Sequence, residues 1–183
     1  MFVFGVIFAL VAGILFGLIG PTTKIAYNSG ASVALTIFLR YAVASIIILP
    51  FIPYQNNLLE IFKKNLKYFL SISAGSILLT LGLLTSVIFI EVSLTILIFC
   101  LYPIYVLLFS IIVDKEKISL TVKILFFVTF LGIVLVIGPS FKVINIVGIL
   151  LAFLASLGST SMIIVNQKMS IEGISPIPIN IFI

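Results

Sequence analysis

The amino-acid sequence predicts an all-α membrane protein that crosses the bilayer several times. Of the 183 residues, 63% are hydrophobic and only 8% are charged, and the mean hydropathy is +1.47. Soluble domains carry about a quarter charged residues, so this chain has too little polar surface for a soluble globule. Several runs of roughly 18 or more apolar residues are each long enough for a helix to cross the hydrocarbon core.

Six membrane spans are predicted from these runs. They cover residues 2–21, 31–52, 68–89, 92–113, 119–138 and 145–165. The connections on one side of these spans carry seven lysines, at positions 63, 64, 67, 115, 117, 123 and 168. The other side carries only Lys24 and Lys142. This bias predicts a cytoplasmic N-terminus. It also explains the basic pI, so that a nucleic-acid partner is not expected.

Small residues recur every fourth position along the first span, at Gly5, Ala9, Gly13 and Gly17. Lipid tails are as apolar as leucine, so membrane helices associate through close backbone packing, which small residues permit. The pattern therefore predicts a helix–helix contact face on the first span, called here the α1 stripe.

A shift of 143 residues brings the start of the chain onto its later part. The α1 stripe then falls on Gly148, Ala152, Ser156 and Thr160, and Gly30 falls on Gly173. Gly148 and Ala152 are accordingly predicted to pack against another helix. The alternative is that two membrane helices share a packing pattern by chance.

If the repeat is real, its unit contains five spans, so a second copy must enter the membrane from the opposite side. Residues 1–143 would form the first five-helix repeat and residues 144–183 the start of a second, incomplete repeat. Inverted repeats of this kind are typical of secondary transporters.

Four segments resemble the EamA family of the drug/metabolite transporter superfamily. They are "GPTTKIA" after the first span, "FLRYAVASIIILPF" in the second, "SLTILIFCLYPIYVLLFSIIVDKEKIS" in the fourth and "FLGIVLVIGP" in the fifth. The resemblance implies ten helices in two halves and transport of small metabolites, in many members as export. It also implies a multi-pass protein of a bacterial inner membrane. The chain departs from the family pattern by lacking the last four helices, so we expect a truncated product.

Charged residues inside membrane spans are candidates for function. Arg40 lies within the second span and cannot shed its proton, so it is predicted either to anchor an anionic substrate or to reach outward to the interface. Glu91 lies between the third and fourth spans. It is a candidate partner for Arg40 or a proton-coupling site, or else a solvated residue of the turn.

Two prolines and their neighbours complete the predicted substrate path. Pro21 is expected to break or kink the first helix, which would place Lys24 in an outer vestibule or let it reach the interface. Pro103 is expected to bend the fourth span. Tyr41 and Tyr102 offer hydroxyls and aromatic faces to a substrate, or pack as ordinary core residues.

The pattern contains no enzyme motif, no histidine and no sign of a cofactor or metal site. The predicted partners are the lipid bilayer and a small-molecule substrate, with a second half or a homodimer partner also considered. A competing hypothesis is a non-transporting subunit or remnant that packs on another membrane protein through Gly5 and Gly148. An antiparallel homodimer is disfavoured, because the lysine bias fixes one orientation.

Overall fold

The computed structural model of the protein describes residues 2–48, 63, 65–113, 115, 119–137 and 145–174. Within these residues the chain forms helices and no strand. They are α1 (Phe2–Asn28), α2 (Val33–Ile48), α3 (Leu66–Phe89), α4 (Val92–Phe99), α5 (Tyr102–Ile112), α6 (Leu120–Ile137) and α7 (Ile146–Ile171). This confirms the predicted all-α architecture of a multi-pass membrane protein.

Four stretches in the described residues are long and apolar enough to cross a membrane. They are Phe4–Asn28, Leu66–Phe89, Val92–Ile112 and Ile146–Ile171. The third of these combines α4 and α5. Helices α2 and α6 are also apolar but have 16 and 18 residues. The predicted spans 31–52 and 119–138 continue into residues outside the described part of the chain.

The first span was predicted to end at residue 21. Helix α1 instead continues through Pro21 to Asn28. A proline removes only one hydrogen bond of the helix ladder, and the bonds on either side are enough to carry the helix onward. The helix ends instead at Gly30, whose φ is +90°. There the Gly30 amide donates to the carbonyl of Tyr27 and the Ala31 amide to that of Ala26, both at 3.0 Å, which is the Schellman arrangement.

Helix α7 ends in the same way as α1. Gly173 has a φ of +73°, its amide donates to the carbonyl of Ser170 at 3.1 Å, and the Ile174 amide donates to that of Met169 at 2.9 Å. A glycine suits both positions because a side chain is strained at positive φ.

The fourth predicted span is interrupted just before Pro103. Helix α4 ends at Phe99 and α5 begins at Tyr102, so Pro103 lies in the first turn of α5. Proline fits this position because the first amides of a helix need no intrahelical acceptor.

Helices α3 and α7 run antiparallel along their full lengths and form the main contact of the described residues. At one end Tyr68 and Ile72 pack against Met169. At the other end Ile90 and Leu94 pack against Ala152. Between these two clusters, Leu83, Phe99 and Ala155 form a third cluster that also brings in α4.

Glycines allow the backbones of α3 and α7 to touch. A Cβ atom added to Gly82 would lie 2.5 Å from the Leu151 carbonyl oxygen, and one added to Gly158 would lie 2.6 Å from the Gly75 carbonyl oxygen. Neither carbonyl can move aside without breaking its helix. The two helices are therefore as close as their backbones permit.

The small residues of α7 pack against another helix, whereas those of the α1 stripe do not among the described residues. On α7, Ala152 is fully buried, and a Cβ added to Gly148 would lie 2.9 Å from the Cβ of Phe89. On α1, the stripe is exposed along its length, and a Cβ added to Gly5, Gly13 or Gly17 would meet nothing within 4 Å. Among the described residues the α1 stripe therefore makes no close contact with another helix, and its role as a contact face stays a prediction. The closest approach of the α1 backbone to α4 is instead at Gly20, where an added Cβ would lie 2.6 Å from Val92.

Replacing Gly82 with alanine is expected to destabilise the protein, because the new methyl group collides with the backbone of α7. Overpacking of this kind costs about 1–3 kcal/mol. The measurement is the melting temperature of the detergent-solubilised protein, followed by the loss of monodisperse protein after heating.

Gly13→Ala is the matched control, since its methyl group has free space and alanine favours the helix by about 1 kcal/mol. Equal melting temperatures for Gly82→Ala and Gly13→Ala would contradict the close approach of α3 and α7.

Candidate functional site

A groove between α2 and α3 contains five hydroxyl groups and no charged side chain. It has a volume of about 480 Å³. The lining consists of Ile37, Tyr41 and Ser45 from α2 and of Ser73, Ser76, Ile77, Thr80 and Leu81 from α3. We call this space the hydroxyl groove.

Tyr41 is the centre of the polar contacts in the groove. Its hydroxyl lies 2.7 Å from the Oγ1 of Thr80 and 3.3 Å from the Oγ of Ser76. Ser45 donates to the backbone carbonyl of Tyr41 at 2.7 Å. Tyr41 and Thr80 both lie near the middle of their helices, so these hydroxyls are placed far from the helix ends.

A second space, called here the aromatic cavity, lies between α1, α3 and α4. Its volume is about 240 Å³, and its lining includes Phe16, Gly17, Thr95, Phe99 and Tyr102. The Phe99 ring centroid is 6.0 Å from that of Phe16 and 5.2 Å from that of Tyr102. These three rings make the lining predominantly apolar.

Pro21 leaves one backbone carbonyl of α1 without its helical donor. Proline has no amide hydrogen, so it cannot donate to the carbonyl four residues earlier in its helix. That carbonyl belongs to Gly17, a lining residue of the cavity. Pro21 therefore changes the hydrogen bonding within α1 but does not end the helix.

Lys24 joins α1 to the end of α3. Its ammonium donates to the carbonyl of Val87 at 2.9 Å, and one turn later the Tyr27 hydroxyl donates to the carbonyl of Leu84 at 3.1 Å. Val87 is in the last turn of α3, where carbonyls lack helical partners and the helix dipole favours a cation. Lys24 thus caps α3 and lines neither the hydroxyl groove nor the aromatic cavity.

Arg40 and Glu91 are not joined. Arg40 is exposed on α2, and Glu91 is half-buried at the start of α4. No ion pair links the two side chains in the described part of the chain, and neither residue lines the hydroxyl groove or the aromatic cavity. The structure thus places Arg40 one residue from Tyr41 but outside the groove that Tyr41 lines.

The hydroxyls on the α3 side of the groove were not among the residues predicted to form the substrate path. Ser73, Ser76 and Thr80 are spaced three and four residues apart, which puts them on one face of a helix. In a span that is otherwise apolar, this hydroxyl face was a readable signal for a polar surface at membrane depth.

The apolar helices define an integral, multi-pass, all-α membrane protein. The profile of the EamA-like transporter family matches residues 3–138, which cover the first five predicted spans. The chain belongs to this family, within the drug/metabolite transporter superfamily. Proteins of the family are membrane transporters rather than typical enzymes. No characterised protein and no solved structure matches the chain.

Replacing Lys24 with methionine should weaken the contact of α1 with α3, because the Val87 carbonyl loses its charged donor. Hydrogen bonds that involve a charged group contribute about 1.5–3 kcal/mol, so the melting temperature should fall.

Lys24→Arg keeps a donor and should retain most of the stability, and Tyr105→Phe serves as an unrelated control in another helix. Unchanged melting of Lys24→Met would contradict the capping role.

Proposed function

We propose that the protein is a secondary transporter of small metabolites and that it works as an exporter. The observation that carries this proposal is the hydroxyl groove, because a space between two apolar helices that is lined by five hydroxyls can hold the polar groups of a small solute. Membership of a transporter family supports the same conclusion. The sequence has no nucleotide-binding motif, so we assign the energy source to a solute or ion gradient.

We place Tyr41 and Tyr102 on the substrate path, because each lines a space between helices. Lys24, Arg40 and Glu91 line neither of these spaces. The Lys24 ammonium donates to the Val87 carbonyl at the end of α3. This contact supports the view that Lys24 positions α1 rather than contacts a substrate.

We further propose that residues 1–143 form one five-helix repeat and that residues 144–183 begin a second, inverted one. Helices α1 and α7 support this, since they have 27 and 26 residues. Both end in the same Schellman arrangement, at Gly30 and Gly173, which the 143-residue shift aligns. An inverted pair would allow alternating access, in which one repeat rocks against the other.

The proposed orientation has the N-terminus in the cytoplasm, and the proposed location is a bacterial inner membrane. The seven lysines on one side of the spans against two on the other support this orientation. It places the Gly30 turn and the end of α3 on the outer side.

A second candidate function is a non-transporting subunit. The exposed α1 stripe favours it, because Gly5, Gly13 and Gly17 contact nothing among the described residues. Such a subunit would bury this stripe against another membrane protein and would move no solute.

The test compares metabolites in the medium and in cells that express the chain or an empty vector. We expect at least one small metabolite to leave the cells faster with the protein. Tyr41→Phe should slow that flux by about fivefold, since one hydrogen bond contributes about 1 kcal/mol. Tyr105→Phe, which lies outside the groove, should leave the flux unchanged.

Correct insertion is checked with a cysteine at Ser29 in a Cys100→Ser background. On the proposed orientation, a membrane-impermeant maleimide should label this cysteine from outside the cell. If the labelled protein changes no metabolite, the transporter proposal is wrong and the subunit remains.

A further inference from the structure

The hydroxyl groove has hydrogen-bonding capacity that the protein does not use. Tyr41, Ser76 and Thr80 carry three hydroxyl hydrogens but share only two contacts, so at least one hydrogen is left to donate. The Ser73 hydroxyl has no hydrogen-bond partner among the described residues. Each hydroxyl can also accept two hydrogen bonds, so the groove offers both donors and acceptors.

The charge of the lining limits what can enter the groove. None of its eight lining residues is an aspartate, glutamate, lysine, arginine or histidine. A charged group brought into such a space loses its water and gains no counter-charge, which is strongly unfavourable. Arg40 immediately precedes Tyr41 on α2 but does not line the groove, so it offers no direct counter-charge there.

The apolar lining indicates the rest of the ligand. Ile37, Ile77 and Leu81 form part of the wall beside the hydroxyls. A volume of about 480 Å³ lies in the range of small-molecule pockets, about 300–1,000 Å³. A ligand that matches both parts of the lining has a hydroxyl- or amide-bearing end and an apolar end.

We propose that the hydroxyl groove binds uncharged solutes that combine hydroxyl or amide groups with an apolar portion. Ser73, Ser76, Thr80 and Tyr41 make the polar contacts. This inference deepens the proposed function and rests on it for the view that the bound solute is transported.

The test uses three probes that differ only at one carbon of a sugar. They are phenyl β-D-glucoside, which is uncharged, phenyl β-D-glucuronide, which is anionic, and the 6-amino-6-deoxy analogue, which is cationic. Binding of each probe to the purified full chain in lipid nanodiscs is measured with radiolabelled material. We expect the uncharged probe to bind at least tenfold more tightly than either charged probe.

Two variants on the same helix test where the probe binds. Ser73→Ala removes a hydroxyl that has no hydrogen-bond partner in the described part of the chain, so it should weaken glucoside binding about fivefold with no loss of stability. Ser71→Ala is the matched control, because Ser71 is exposed, donates to the Lys67 carbonyl and lies outside the groove. It should leave binding unchanged.

The inference is overturned if none of the three probes binds, if a charged probe binds as tightly as the glucoside, or if Ser71→Ala and Ser73→Ala have equal effects. Its failure is separable from that of the proposed function. If cells export a charged metabolite but the purified protein does not bind the glucoside, this inference alone is wrong. If glucoside binding shows the expected charge preference and the expected effect of Ser73→Ala, but no metabolite flux is found in cells, the inference is supported and the transporter proposal is wrong.

Discussion

The close approach of α3 and α7 is the contact on which the rest of the described structure depends. Water cannot drive helices together inside hydrocarbon, so stability must come from backbone packing that only small residues allow. Gly75 and Gly82 on α3 meet Gly158 and the Leu151 carbonyl on α7. This seam extends from the Tyr68 end of α3 to the Ile90 end, so α3 is held along its whole length.

Because α7 covers one side of α3, other helices can contact the remaining sides of α3. Helix α1 contacts the end of α3 through Lys24 and Tyr27. Helix α2 faces the serine and threonine side of α3 through Tyr41. A rigid α3 therefore carries both a structural seam and the hydroxyl groove, with the two on different faces of a single helix.

The fold class was predictable from the sequence, because composition and apolar run length constrain a membrane chain strongly. The packing role of Gly148 and Ala152 was predictable from the spacing of small residues. At Gly5 and Gly13 the same spacing finds no close neighbour among the described residues. A stripe of small residues shows that a helix can be approached closely but not which helix approaches it, so the contact face on α1 stays a prediction. The break expected at Pro21 does not occur, because the loss of one ladder hydrogen bond does not end a long apolar helix. The alternative expectation, a kink at Pro21, stays a prediction.

The candidate site was harder to predict for a related physical reason. Arg40 attracts attention because a charge in a span is costly, yet it lies outside the groove. The hydroxyls of Ser73, Ser76 and Thr80 are weak signals one by one. They become a site only when α2 brings Tyr41 beside them, and that pairing depends on contacts between helices.

Disulfide cross-linking between Phe89→Cys and Gly148→Cys, in a Cys100→Ser background, tests the α3–α7 seam most directly. A Cβ on residue 148 lies 2.9 Å from that of residue 89, and disulfides need about 3.5–4.5 Å, a distance that a small relaxation supplies. A protease site is inserted at Lys115, the membranes are oxidised before cleavage, and the fragments are separated on a denaturing, non-reducing gel. The α3–α7 seam predicts that oxidised fragments run joined and that fragments from membranes without oxidant run apart. Fragments that separate even after oxidation would contradict the seam.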